Sequence, residues 1–158
     1  MGKTLTSLFI SGERICLLHI GDSRAYRLRG SSLEQLTQDH TVIQELLNQG
    51  AISQSDIATH PQRSVLTQVL MGEGISSAPL LILDGKAGDR YLLCSDGLSS
   101  VLTEKEIKSI LKGKERQKVV DALIDATYVN GAPDNVTVVI ADLIETNEEE
   151  LVKIGAAQ

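Results

Sequence analysis

The sequence predicts an α+β fold with mostly antiparallel strands. Two observations carry this: strand-like runs are separated mainly by hairpin-like turns, and most helical periods gather in the second half of the chain instead of alternating with strands. With 158 residues, 42% of them hydrophobic, and a mean hydropathy of +0.01, the chain is long enough for one domain with its own core.

The elements follow in order. "TLTSLFI" alternates polar and apolar, and "RICLLHI" is a nearly continuous β-favouring run ending at Gly21. "AYRLRGSSLEQL" reads as two strands turned at Gly30-Ser31. From His40 the period changes: Val42, Ile43, Leu46 and Leu47 share a helical face, and Gly50 is placed to stop it. Ser53 with Asp56 opens a short helix that cannot pass Pro61. "APLLIL" and "RYLLCS" are strands joined by the turn-rich "DGKAGD", expected to be a hairpin turn. Thr103 and Glu106 have capping-box spacing, and Leu102 and Ile107 occupy hydrophobic-staple positions. A second helix carries Val119, Val120, Leu123, Ile124 and Thr127 on one side and ends at Gly131 and Pro133. "NVTVVIADL" is the last strand, followed by an acidic tail over residues 145–158.

A net charge of -6 argues against the broad basic surface that nucleic acid or an anionic membrane requires. No apolar run reaches membrane-spanning length, and "MGKTLTSLFI" lacks the pattern of a signal peptide. Met1-Gly2 with Thr6 matches a loose myristoylation pattern, but the strand-like alternation that follows speaks against it. Cys16 and Cys94 lie in separate apolar runs without CxxC spacing, as buried, reduced thiols suited to a cytoplasmic location.

Three acids share one context. Asp22 follows "ICLLHIG", Asp96 follows "YLLCS", and Asp134 with Asn135 precedes "VTVVIADL", so each lies at a strand end. Singly, Gly-Asp, Asp-Gly and Pro-Asp are ordinary turn pairs. Side by side they would need a proton or a cation, because two carboxylates at about 4 Å repel by roughly 4 kcal/mol at an effective dielectric of 20. An all-oxygen site favours Mg²⁺ or Mn²⁺ over Zn²⁺, and His19, His40 and His60 lack zinc spacing. No EF-hand loop, GxSxG elbow, P-loop or GxGxxG is present. Aromatic residues at 3% leave no stacking platform for single strands. Cys94 beside Asp96 is a poor nucleophile, since a neighbouring acid raises its pKa.

Read together, "MGKTL", "HIGDSRAYRLRG", "LTQDHT", "HPQRSVLTQVLMG", "GDRYLLCSDGLSSVLT" and "GAPDNVTVVI" resemble, in order, the metal-dependent protein phosphatases of the phosphatase 2C-like family, most of all the bacterial members. The resemblance covers nearly the whole chain. It implies an antiparallel β-sandwich flanked by helices, with Mn²⁺ or Mg²⁺ bound at one end. Residues 1–144 would form the C-terminal portion of the catalytic domain, and residues 38–76 a flap-like region beside the site. It further implies that Asp96 and Asp134 ligate two metals, that Asp22 shares a third, weaker one with Asp96, and that Asn135 orients Asp134 or caps its turn. The activity implied is hydrolysis of phosphoserine or phosphothreonine in proteins through a metal-activated water.

The sequence also departs from that family. A phosphate-binding arginine and a "DGxGG" segment, whose acid bridges both metals, precede the "MGTTL"-like strand in family members and have no counterpart among these 158 residues; "DGKAG", Asp84 to Gly88, occupies a different place. The catalytic residues proper are therefore unassigned, the fold is expected to be incomplete at its N-terminus, and this polypeptide alone is expected to be inactive or nearly so. Sheet edges and core face are expected to be exposed, to be completed by the absent segment or another chain, or else to favour dimerisation, strand exchange or aggregation. The alternatives are a non-catalytic phosphatase-like module that binds phosphorylated or other partners without turnover, and a truncated gene product.

Overall fold

A computed structural model describes residues 2–62, 65–71, 78 and 80–145. Parts of the expected flap-like region, and the tail from residue 146, lie outside the described residues.

Among the described residues, seven strands form two antiparallel sheets. The first has the order β1-β2-β5, with β1 Leu5–Ser11, β2 Arg14–Ile20 and β5 Leu80–Asp84. The second has the order β4-β3-β6-β7, with β3 Arg24–Arg29, β4 Ser32–Gln35, β6 Arg90–Cys94 and β7 Val138–Asp142. Hairpins β1-β2 and β3-β4 form where turn chemistry marks them. The expectation that "DGKAGD" closes a third hairpin is corrected. β5 pairs with β2 and β6 with β3, so residues 84–89 carry the chain from one sheet to the other.

Four α-helices are described. α1 (Val42–Asn48) starts at Thr41, whose side chain accepts from the Gln44 N–H. The Ser53 start yields a 3-10 turn, Gln54–Thr59, with Asp56 accepting from the Ser53 N–H at 2.8 Å. α2 (Asp96–Ser99) is a single turn after β6, and α3 (Glu104–Leu111) begins with the expected capping box at Thr103 and Glu106. α4 (Arg116–Val129) turns Val119, Leu123 and Thr127 inward.

The pleat of the second sheet separates two cores. Tyr26, Leu28, Leu92 and Cys94 pack with Leu98, Leu102, Ile107, Leu111, Val119 and Leu123 from α2–α4 and their flanks. The alternate residues Ala25 and Tyr91 are fully buried, and in the first sheet Ile15 and Leu17 are buried as well. Arg27, on the Ala25 and Tyr91 side of the pleat, reaches across to the Asp84 carbonyl at the end of β5, as expected for a sandwich.

Phe9, Cys16 and Ile82 stand opposite one another in register, as do Leu18 and Leu80, so these side chains share the other face of the first sheet. Phe9, Leu80 and Ile82 are 67%, 56% and 62% exposed. At the end of the second sheet carrying Arg90 and Asp142, charges are paired. Asp89, 1% exposed, accepts two bonds of 2.7 Å from Arg29 and one from the Lys86 N–H, and Arg90 binds Asp142 at 2.6 and 2.8 Å.

Candidate metal centre

The turns that bear the three acids lie at the opposite end of the strands. β6 and β7 are neighbours, with Cys94 opposite Val138. The turn after one strand and the turn before the other therefore meet. Ser95 ties them: its N–H donates to the Thr137 carbonyl (3.1 Å), its Oγ donates to the Asn135 carbonyl (3.1 Å), and it accepts from the Thr137 N–H (3.0 Å). A Cβ at Gly97 would stand 2.3 Å from the Asn135 carbonyl oxygen and 3.4 Å from that of Asp134. Only glycine allows this approach, which brings the Asp96-Gly97 and Asp134-Asn135 turns into contact.

Asp22 arrives from the crossing between the sheets, where the chain leaves β2 at Ile20 and enters β3 at Arg24. Gly21 makes that corner with φ +110, and a Cβ there would lie 2.3 Å from Thr4 Cγ2. Partial burial raises the Asp22 pKa, and the charge of Asp96 raises it further. Asp22 and Asp96 are thus within electrostatic reach, while Asp39, also acidic, is held by Arg24 through bonds of 2.7 to 3.1 Å. Although burial works against its charge, this pairing and the Tyr26 hydroxyl keep the Arg24 guanidinium firmly protonated.

Asp134 is exposed, and its Oδ1 accepts from the Asn135 main-chain N–H at 2.7 Å. Asn135 thus acts on Asp134 through its backbone. Cys94 is buried, and desolvation pushes its thiol up to about 12, which fits the reading of an inert thiol. His19 is buried, with its pKa lowered by desolvation and by His40, whose ring centroid is 4.9 Å away.

The donor set suits a hard divalent cation: the acids offer oxygen only, and positive charge would relieve the repulsion felt by Asp22. Among the described residues no group of three or more His, Cys, Asp or Glu stands ready to hold a metal ion. Sequence reasoning did not anticipate Ser95 as the tie between the acid turns, nor the pairing of Arg24 with Asp39. Arg24 and Asp39 stand in the motifs "GDSR" and "TQDHT", but their pairing is visible only in three dimensions.

Comparison with known proteins bears on this arrangement. No protein-family model matches the chain. The serine/threonine protein phosphatase PstP of Mycobacterium tuberculosis is 43% identical over 145 residues, which cover 92% of this chain and 28% of the relative. The crystal structure of the M. tuberculosis phosphatase PstP/Ppp superposes with a TM-score of 0.87 at 43% identity, covering 92% of this chain and 61% of that one. A second structure, the catalytic domain of PstP in complex with two manganese ions, gives a TM-score of 0.84 at 39% identity, covering 92% of this chain and 60% of that one. Fold and sequence together define a metal-dependent protein phosphatase scaffold. The chain is similar to members of that family over nine tenths of its length, and it spans about three fifths of these solved chains.

Proposed function

We propose that this chain forms the acid-bearing part of a serine/threonine protein phosphatase centre that uses Mn²⁺ or Mg²⁺. The observation that carries the proposal is the convergence of the Asp22, Asp96 and Asp134 turns at one end of the sandwich. The two manganese ions in the PstP catalytic-domain complex support it.

Asp96 and Asp134 would hold the principal ions, and Asp22 with Asp96 a weaker one. Divalent cations supply Lewis-acid activation of water and neutralise charge on phosphoryl oxygens. This chain's residues fix the ligands: Ser95 holds the two acid turns together, Gly97 lets them touch, and the Asn135 N–H orients the Asp134 carboxylate. The described residues furnish an incomplete set of ligands. The 158-residue polypeptide is accordingly expected to bind Mn²⁺ weakly and to turn over little, with the bridging acid and phosphate-binding arginine contributed from outside it.

The exposed Phe9, Leu80 and Ile82 support completion of the sandwich by a further segment or another chain. The substrate would be a phosphorylated protein, with neither nucleic acid nor membrane as partner. Two free cysteines support a reducing, cytoplasmic compartment, and no helix among the described residues is long and apolar enough to cross a membrane.

Turnover of p-nitrophenyl phosphate and of a phosphothreonine peptide with Mn²⁺ tests the reading. A protein in which these residues are joined to a "DGxGG"-bearing segment is expected to be active and to lose activity on Asp96→Ala. Undiminished turnover in that variant would refute it.

A further inference from the structure

The corner that presents Asp22 is held by residues 37–40. The Ala25 N–H donates to Thr37 Oγ1 (3.1 Å), His19 Nε2 donates to the Gln38 carbonyl (3.1 Å), and Arg24 grips Asp39. The last contact lies next to the acid. The His40 N–H donates to the Gly21 carbonyl at 2.8 Å, and the Gly21 N–H donates to His40 Nδ1 at 3.1 Å. Gly21 has no side chain to anchor it and a left-handed φ, so its placement depends on its main-chain groups, and both engage His40.

We propose that His40 is a positioning residue that fixes the Asp22 carboxylate for cation binding, an assignment that rests on the metal-centre reading above. Hydrogen-bond chemistry separates positioning from ligation. The Nδ1 lone pair is taken by the Gly21 N–H, so in the neutral ring the proton resides on Nε2 and neither nitrogen is free to bind a metal. The His40 carbonyl also accepts from the Thr67 N–H at 2.8 Å, which ties the corner to the segment after the 3-10 turn. The orientation of Asp22 is thereby connected to the flap-like region.

Asparagine can place an amide oxygen near the position of Nδ1, whereas leucine offers no acceptor. The test compares His40→Asn with His40→Leu in the full chain, reading free Mn²⁺ by electron paramagnetic resonance and the Gly21 amide by hydrogen exchange. His40→Leu is expected to weaken the weaker class of Mn²⁺ binding, the one that Asp22 shares with Asp96, by about tenfold and to speed Gly21 exchange by about tenfold, leaving the Leu92 and Leu93 amides protected. His40→Asn is expected to stay within about twofold of wild type on both. Should the leucine variant not fold, His40→Gln, which carries its acceptor one carbon further out, replaces it with the same expectation. Fast Gly21 exchange with unchanged affinity in that weaker class, or equal losses in the Asn and Leu variants, would overturn the positioning role. No Mn²⁺ binding by the wild-type chain would instead overturn the metal reading and this assignment with it.

Discussion

Replacing Gly97 with alanine tests whether contact between the Asp96 and Asp134 turns builds the centre. The new Cβ would stand 2.3 Å from the Asn135 carbonyl oxygen and 3.0 Å from its carbon, and both are backbone atoms that cannot rotate away. A relaxed C···O contact is about 3.3 Å, so the Asn135 peptide must retreat by roughly 1 Å. Such overpacking costs about 1–3 kcal/mol, and loss of the bond from Ser95 Oγ to the Asn135 carbonyl adds roughly 1 kcal/mol. A total of about 2–4 kcal/mol corresponds to a Tm drop of roughly 4–16 °C for a domain of this size. The Asp134 carboxylate moves with its neighbour, so Mn²⁺ affinity should fall about tenfold or more. Circular dichroism melting and isothermal titration read the two effects. A Tm within about 1 °C of wild type with unchanged affinity would refute the contact argument.

Three further outcomes follow from the charges. Asp22 carries a raised pKa because of burial and Asp96, so its ionised form destabilises the metal-free chain at neutral pH; Asp22→Asn should raise the metal-free Tm and shrink the gain on adding Mn²⁺, and a lower metal-free Tm would contradict this. Asp89 is buried, yet bonds from Arg29 and the Lys86 N–H hold its pKa below 3.8 despite desolvation. Its stabilisation is therefore present above that value and lost as pH falls through the lowered one. Asp89→Asn should cost about 2 kcal/mol in urea denaturation at pH 7, the partner's exposure keeping the loss below that of a fully buried pair. His19 is depressed below 6.5 by desolvation and His40. The unfolded chain then binds the extra proton first, so stability should decline as pH falls through 6.5 and level off below the folded value. Urea midpoints measured in an Asp22→Asn background should show this decline, and His19→Gln should flatten it.

Local chemistry made much of the fold legible. The Thr103 capping box, the Gly30-Ser31 hairpin and the helix stop at Gly50 are each specified within a few residues, and each formed where expected. The crossing at residues 84–89 was not legible, because the same turn residues serve a hairpin or a passage between sheets. What decides is the partner of β5, and that partner is β2, over sixty residues earlier in the chain. The acids were legible as strand-end residues, since "GDSR", "CSDG" and "PDN" each follow or precede an apolar run. Their ties were hidden: Ser95 to Asn135, Arg24 to Asp39 and His40 to Gly21 span 15 to 40 residues and carry no periodic signal.

The most direct test of the central claim, that the three acid turns belong to one cation-binding centre, is paramagnetic mapping of Mn²⁺ on the isotope-labelled chain. Amide signals of Asp22, Asp96, Gly97 and Asn135 should broaden together at the lowest Mn²⁺ additions, and Asp96→Asn should abolish the effect at all four. Broadening spread over unrelated surface acids such as Glu104 and Asp121, with these four amides untouched, would contradict the account.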